Sequence, residues 1–268
     1  MLLQRIITAS IIAPLVIFSI VNLEKTGFSI ALLIVFIIAL WEYSKLSKIN
    51  SIALRIPYIF IAITITYFLS EINSILLPVL LASLLWWIIA LYSVIVFPKN
   101  SKYIHENLIV KLVNGLFLFV PMSLSLMAIH LKDSSLVLLL FGLIWASDIG
   151  AYFTGKAFGK TKLSPNVSPK KTVEGLFGGI VFSLIIGVLY VIILKDTPSI
   201  NDYLMFGFLS IVVTLTSVLG DLFESLLKRL SNVKDSGKIL PGHGGMLDRI
   251  DSLTSSAPVF FLLFTYLV

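Results

Sequence analysis

The chain has 268 residues, of which 58% are hydrophobic and only 13% are charged, and its mean hydropathy is +1.03. A soluble domain is usually near half apolar and a quarter charged, so this composition predicts an integral membrane protein and excludes a disordered chain. The lack of cysteine excludes a disulfide-stabilised secreted fold, thiol catalysis and thiolate metal sites.

Apolar runs long enough to cross a bilayer occur about nine times along the chain. Backbone polar groups inside a bilayer must be paired internally, so each run is predicted to be a helix and the fold class is all-α. The first run is interpreted as a signal anchor, because no small-residue cleavage pattern closes it. The runs are residues 6–23, 27–43, 52–69, 74–97, 108–131, 136–153, 173–194, 203–222 and 253–268.

The basic residues indicate how these segments are oriented in the membrane. When the segments are assigned to alternate sides of the membrane, all but three of the 20 Lys and Arg residues share a side with the N-terminus. Short cytoplasmic loops collect Lys and Arg, so the N-terminus is predicted to be cytoplasmic and the C-terminus external. The three exceptions are Lys25, Lys132 and Lys195.

The whole chain, residues 1–268, is predicted to form a single membrane-embedded domain. Its first five spans carry almost no internal charge, so residues 1–134 are predicted to be scaffold helices. Trp86 and Trp87 in this half are interpreted as lipid-facing or interfacial bulk. Residues 135–268 are interrupted by Gly, Asp, Lys and Pro, and their helices and cytoplasmic loops are predicted to carry a catalytic site.

The first unusual stretch is residues 145–179. Asp148 lies inside an apolar helix, where an ionised side chain costs about 3 kcal/mol at the bilayer centre, so it is expected to face a partner or a wet cavity. Gly155 and Gly159 continue the same face and allow another helix or a ligand to approach closely.

Two adjacent lysines, Lys170 and Lys171, precede the next predicted helix. Ser168 and Thr172 are candidate N-caps of that helix, and lysines near a helix start form a corner that attracts phosphate. The alternative is an interfacial loop whose lysines contact anionic lipid headgroups.

The second unusual stretch begins with a polar stripe in the eighth span. Residues three or four apart lie on one face of a helix, and a stripe that includes two carboxylates cannot face lipid. The stripe is therefore expected to line the bundle interior or a water-filled cleft. It consists of Thr214, Ser217, Asp221, Glu224, Ser225 and Lys228.

A glycine-rich turn, residues 241–245, follows the stripe and is followed by Asp248, Arg249 and Asp251. Its glycines and proline preclude a regular helix and free backbone N–H groups, a geometry that suits oxyanions. His243 within this turn can donate to a phosphate, act as an acid or base, or form a hydrogen bond that stabilises the loop.

Carboxylates on the stripe and after the turn can converge on hard cations. Magnesium typically sits between one or two carboxylates and substrate phosphates, and two such ions can clamp an in-line displacement at phosphorus. The interleaved Lys and Arg side chains can neutralise the remaining phosphate charge. The pattern predicts a phosphorylated substrate, with an ion-paired loop that closes the bundle as the alternative.

The run from Ser225 to Asp251 resembles the signature of the phosphatidate cytidylyltransferases, the CDP-diacylglycerol synthases. Ser, Lys-Arg, Lys-Asp, His-Gly-Gly and Asp-Arg-x-Asp recur there in order and spacing, and residues 145–148 and 168–175 also resemble that family. The resemblance implies a Mg²⁺-dependent membrane enzyme, with a two-ion site expected. It would transfer the CMP moiety of CTP to phosphatidate, releasing pyrophosphate and forming CDP-diacylglycerol for phospholipid biosynthesis.

The resemblance also implies roles for individual residues. Asp221 and Asp248 would be metal ligands, with Asp251 supporting them. Lys228 and Arg229 would hold triphosphate or phosphatidate oxygens, and His243 completes the candidate catalytic set. The remaining candidate substrate-binding residues are Ser225, Lys234, Gly244, Gly245, Arg249, Asp148, Lys170 and Lys171.

The expected location is multi-pass in a bacterial plasma membrane, with the site on the cytoplasmic side. The expected partners are CTP, phosphatidate and membrane lipids, with a homodimer as one candidate assembly and no nucleic acid. One alternative is a CTP-dependent polyprenol or phytol kinase, which would release CDP. Another is a transporter whose buried acids bind a coupling ion, although the polar features lie only in the back half and a transporter is expected to show a paired repeat.

Overall fold

The structure is a computed structural model that describes residues 2–99 and 106–266, and most of these residues are helical. This confirms the all-α fold class. A short antiparallel hairpin, β1 (Lys162–Ser164) and β2 (Ser168–Thr172), joins two of the helices and was not predicted. The helices are α1 (Leu2–Asn22), α2 (Lys25–Leu46), α3 (Ile52–Ser70), α4 (Asn73–Val96), α5 (Leu108–Lys132), α6 (Ser134–Phe158), α7 (Val173–Leu194), α8 (Ile200–Leu230) and α9 (Leu247–Tyr266).

Seven of these helices, α2 to α8, are long and apolar enough to cross a membrane, which makes the chain a polytopic membrane protein. The sequence predicted about nine spans. The other two predicted spans are helices as well, but they do not meet the same criteria. The described apolar part of α1, Ile7–Asn22, is shorter, and α9 carries Asp248, Arg249 and Asp251 in its first turns.

Contacts between loops show which helix ends lie together. The loops that the predicted topology places on the N-terminal side meet at one end of the bundle, and the others meet at the opposite end. The alternation of segments is therefore confirmed for these loops, while Lys102 lies outside the described residues and the cytoplasmic orientation stays a prediction. The contacts at the first end are Ser231 to Leu46, Asn166 to Phe97 and Thr8 to Pro241; at the other they are His130 to Ile20 and Ser135 to Tyr190.

Helices α6 and α7 pack closely along small residues. A Cβ added at Gly178 would overlap the Thr154 side chain, and one added at Gly150 would lie 2.5 Å from the Gly178 carbonyl oxygen. One added at Gly155 would lie 3.6 Å from the Gly175 Cα, which confirms the close approach predicted there. Because the hairpin connects these two helices directly, their contact holds the hairpin at the first of the two ends described above.

We expect Gly178→Ala to destabilise the protein, because the added methyl group must displace the Thr154 side chain. Overpacking of this kind costs about 1–3 kcal/mol, which should lower the thermal transition of the protein purified in detergent. Gly207→Ala in α8 is the matched control, because its added Cβ would lie 3.6 Å from Leu184 Cδ2, an ordinary contact. Equal transition temperatures for the two variants would contradict the packing described here.

The two adjacent tryptophans of α4 are buried, so the expectation that they face lipid is wrong. Trp86 and Trp87 are 8% and 4% exposed. Trp86 stacks on Phe117 and packs edge-on against Phe223, and its indole N–H donates to Asn114 Oδ1 at 3.2 Å. Asn114 thus supplies an acceptor inside the bundle for the buried indole N–H of Trp86, whereas that of Trp87 is buried without a hydrogen-bond partner in the described residues.

Candidate active site

The polar stripe of α8 faces the rest of the bundle, as predicted. Thr214, Ser217 and Glu224 are buried, whereas Asp221, Ser225 and Lys228 are partly exposed. The stripe is therefore buried in the bundle interior at Thr214 and Ser217 and becomes partly accessible from Asp221 onward.

Lys228 joins the α8 stripe to α9. Its Nζ lies 2.5 Å from Glu224 Oε2, one helical turn earlier, and 2.8 Å from Asp248 Oδ1. The Lys228, Glu224 and Asp248 side chains are 15%, 4% and 6% exposed, so one amine is shared by two carboxylates with little water nearby. Glu224 Oε1 is buried and has no hydrogen-bond partner within the described part of the chain.

The glycine loop, residues 231–246, wraps around the second oxygen of Asp248. Asp248 Oδ2 accepts hydrogen bonds from the Ser236 backbone N–H at 2.9 Å, the Ser236 hydroxyl at 2.8 Å and the Gly245 N–H at 2.8 Å. Gly244 has φ +88°, a conformation that favours glycine, and a Cβ there would lie 2.6 Å from Asp248 Oδ2. The turn is irregular, as predicted, but the Gly245 N–H binds an oxygen of the protein itself.

The β-hairpin places one lysine in contact with the stripe. Lys171 Nζ lies 2.6 Å from Asp221 Oδ2, and the Ser225 hydroxyl donates to Asp221 Oδ1 at 3.2 Å. Successive side chains of a strand point to opposite faces, so Lys170 is exposed while Lys171 reaches inward. A charge pattern alone could not separate these two lysines.

The two predicted caps before α7 have different outcomes. Thr172 is the N-cap of α7, and its hydroxyl accepts the Gly175 N–H at 3.1 Å, as predicted. Ser168 begins strand β2, so its assignment as a helix cap is wrong.

Arg229 fastens the tip of the hairpin to α8. Its Nε donates to the carbonyl of Val167 at 3.0 Å, and Val167 is fully buried. The predicted contact of Arg229 with phosphate stays a prediction. In this structure its bond to the hairpin helps to hold Lys171 near Asp221.

Two further predicted acids lie on the helices around this cluster. Asp251 on α9 packs against α8 beside Asp221, because a Cβ added at Gly220 would overlap the Asp251 carbonyl oxygen. Asp148 is exposed on α6, the helix that precedes the hairpin, and its contact with substrate stays a prediction. Carboxylates of α8 and α9 thus converge with Lys171 and Lys228, as the sequence predicted for α8 and the segment after the turn.

Three candidate residues lie at the margin of this cluster. Lys170 and Lys234 are exposed on the hairpin and on the glycine loop. The backbone N–H of His243 donates to the Leu240 carbonyl at 2.9 Å, while its Nδ1 is buried without a hydrogen-bond partner in the described residues. Their contacts with substrate stay predictions.

Glu42, an acid of the scaffold half, also reaches this site, although it is not among the predicted site residues. It lies near the end of α2 and is 6% exposed. Its Oε2 accepts the backbone N–H of Leu247 at 2.9 Å and lies 3.4 Å from the Ser236 hydroxyl. An acid within an apolar span is by itself a signal of a partner or a site, and this signal was available in the sequence.

The described residues contain no group of three or more Asp, Glu or His side chains arranged to hold a metal ion. Magnesium nevertheless needs only one or two carboxylates when waters and substrate phosphates complete its shell. Asp221 and the nearby Asp251 fit that requirement. Asp248 fits it less well than Asp221, because its side chain is 6% exposed against 31% for Asp221 and its Oδ2 already accepts three hydrogen bonds from protein donors.

The fold and the site together define a polytopic membrane protein with a cluster of acids and bases at one end of its bundle. The model of the cytidylyltransferase family matches residues 3–267 of the chain. The chain is 35% identical to the phosphatidate cytidylyltransferase of Haemophilus influenzae, over 100% of both chains. It is 37% identical to that of Pseudomonas aeruginosa, over 98% of this chain and 97% of the relative. The chain therefore belongs to the cytidylyltransferase family.

Proposed function

We propose that this protein transfers the CMP moiety of CTP to phosphatidate, releasing pyrophosphate and forming CDP-diacylglycerol for phospholipid biosynthesis. The observation that carries the proposal is the convergence of Asp221, Asp248 and Asp251 with Lys171 and Lys228, in a chain whose full-length relatives are named phosphatidate cytidylyltransferases. These relatives favour this reaction over the polyprenol kinase and transporter alternatives.

The reaction is a displacement at the α-phosphorus of CTP. A phosphate oxygen of phosphatidate forms a bond to that phosphorus, and the bond to the oxygen bridging the α- and β-phosphates breaks. Pyrophosphate leaves with the bridging oxygen and its electron pair. A phosphate monoester has its second pKa at about 6, so the nucleophile is ionised near neutral pH and needs no strong general base.

The main difficulty is that both substrates are anionic. Cationic side chains placed where charge develops stabilise such a transition state, and positioning supplies much of the remaining catalysis. Lys171 and Lys228 provide the cations in the cluster, and Arg249, which follows Asp248 in α9, is a further candidate. Lys171 lies on an accessible edge of the site, where it can exchange Asp221 for a substrate phosphate.

The cofactor in this proposal is Mg²⁺, bound by Asp221 with Asp251 beside it. When bound, Mg²⁺ would supply positive charge that offsets the repulsion between the two phosphates and the charge on the departing pyrophosphate. Asp248 as a further ligand, and a second ion, belong to the same proposal. The hydrogen bonds that Asp248 accepts favour a role in fixing Lys228 and the glycine loop.

The proposed location of the site is the cytoplasmic surface of a bacterial plasma membrane. The excess of Lys and Arg at the site end of the bundle supports this orientation. CTP would then enter from the cytosol, and phosphatidate would enter from the bilayer. A homodimer remains a prediction.

The protein purified in detergent should convert CTP and phosphatidate to CDP-diacylglycerol and pyrophosphate when Mg²⁺ is present. Excess chelator should abolish turnover because the phosphate charges would no longer be offset, and added Mg²⁺ should restore it. Product formation can be followed by lipid chromatography and a pyrophosphate assay. Absence of product, or full activity in excess chelator, would contradict the proposal.

A further inference from the structure

Glu42 is a buried acid whose hydrogen-bond partners come from distant parts of the chain. It lies in α2, within the half predicted to be scaffold, yet its carboxylate contacts Ser236 in the glycine loop and Leu247 at the start of α9. Burial of a carboxylate is costly unless it is hydrogen-bonded. These partners therefore account for its presence in an apolar span.

The contact with Leu247 lies at a helix terminus. Leu247 is the first residue of α9, and the first N–H groups of a helix have no partner within the helix. A carboxylate there also meets the positive end of the helix dipole. Glu42 thus fixes the first turn of α9, and Asp248 is the next residue of that turn.

The contact with Ser236 links Glu42 to Asp248. The Ser236 hydroxyl lies 3.4 Å from Glu42 Oε2 and 2.8 Å from Asp248 Oδ2. A hydroxyl has one proton to donate, and the shorter distance is to Asp248, so Ser236 lies between the two carboxylates and donates mainly to Asp248. Asp248 in turn holds Lys228.

Two glycines of the loop leave space for the Glu42 carboxylate. A Cβ at Gly237 would overlap Glu42 Oε1, and a Cβ at Gly245 would overlap both Glu42 Oε2 and the Ser236 hydroxyl that contacts it. The glycines with positive φ are Gly242 and Gly244, so backbone conformation does not require glycine at positions 237 and 245. Room for Glu42 explains these two glycines of the loop.

We propose that Glu42 is a positioning residue that holds the glycine loop and the first turn of α9 in place, so that Asp248 stays aligned with Lys228. The role in catalysis rests on the proposed function. The positioning itself is a property of the substrate-free protein. It can therefore be measured separately from the reaction.

Because the chain has no cysteine, a single spin label can report on the loop. The label would be attached at Lys238→Cys, which is exposed on the loop, and in a second sample at Lys162→Cys, which is exposed on the hairpin. In Glu42→Ala, the mobile component of the electron paramagnetic resonance spectrum should grow at least about twofold for the label at position 238. It should stay unchanged for the label at position 162. Each labelled protein would first be checked for a monodisperse profile in detergent.

The matched control is Ser44→Ala on the same helix, because Ser44 is buried and its hydroxyl donates to the Trp41 carbonyl of α2 itself. It should leave the spectrum unchanged. Glu42→Gln keeps the volume and one acceptor for the Leu247 N–H, so its spectrum should fall between those of the unsubstituted protein and Glu42→Ala. Activity should follow the same order, with kcat falling about tenfold in Glu42→Ala, the size expected for a supporting partner.

A second substitution tests the steric part of the proposal. Gly237→Ala alone should lower kcat, because its methyl group displaces Glu42, and it should cause little further loss when Glu42 is already alanine. Unchanged mobility at position 238 in Glu42→Ala, equal gains at both labels, or independent effects of the two substitutions would overturn the proposal. Because mobility is measured without substrate, a different reaction would leave that result intact.

Discussion

Asp221→Asn should lower kcat for CDP-diacylglycerol formation by about 10³-fold, the upper end for removal of one group that stabilises a transition state. Asp221 is the partly exposed carboxylate of the α8 stripe and lies 2.6 Å from Lys171. The amide keeps the shape and removes the charge that would bind Mg²⁺ and hold Lys171. The measurement is the initial rate with saturating CTP and phosphatidate.

Asp196→Asn is the control for this prediction. Asp196 is exposed in the loop between α7 and α8, at the opposite end of the bundle from the site. This change removes the same charge and should leave the rate unchanged. A rate for Asp221→Asn within a few-fold of the unsubstituted protein would remove Asp221 from the catalytic machinery.

Lys228→Met should abolish activity and also destabilise the fold. Lys228 is the amine shared by Glu224 and Asp248, and its removal leaves two buried carboxylates without their common cation. Breaking a buried ion pair by removing one partner costs about 3–5 kcal/mol. The expected result is a clearly lower thermal transition in detergent, together with loss of turnover.

Two further variants separate these effects of Lys228. Adding Glu224→Gln to Lys228→Met removes one of the unpaired charges, so it should recover part of the stability and none of the activity. Lys195→Met breaks the more exposed pair with Asp202 at the other end of the bundle and should change the transition temperature little. Equal stability of Lys228→Met and the unsubstituted protein would contradict the ion-pair role described here.

The α8 side of the site was predictable because helical spacing and membrane energetics act together. Polar residues three and four apart must share a face, and carboxylates on that face must avoid lipid, so the stripe around Asp221 had only the interior left to occupy. The convergence with Asp248 also followed, because a short glycine-rich connection returns the chain to the same end of the bundle.

Other parts of the site depend on tertiary contacts that one sequence does not specify. The hairpin is too short to give a clear alternating pattern, so the sequence could not indicate that Lys171 points inward and Lys170 outward. Hydropathy does not distinguish a lipid neighbour from a protein neighbour, so the sequence does not indicate that Trp86 is buried. Its partners, Asn114 and Phe223, come from two other helices.

Glu42 is a different case, because the sequence carries a signal for it. It is an acid near the end of an otherwise apolar helix, and such a residue has to find a partner. Its partners, Ser236 and Leu247, lie 194 and 205 positions later in the chain, so the sequence alone does not identify them.

The central claim is that this site transfers the CMP moiety of CTP, and isotopic tracing tests it most directly. The purified protein would be given phosphatidate, Mg²⁺ and CTP carrying ³²P at either the α- or the γ-phosphorus. We expect the α-label to enter the lipid product and the γ-label to leave with pyrophosphate. Transfer of the γ-label to lipid, with release of CDP, would instead show a kinase, and absence of label from the lipid in both samples would contradict cytidylyl transfer.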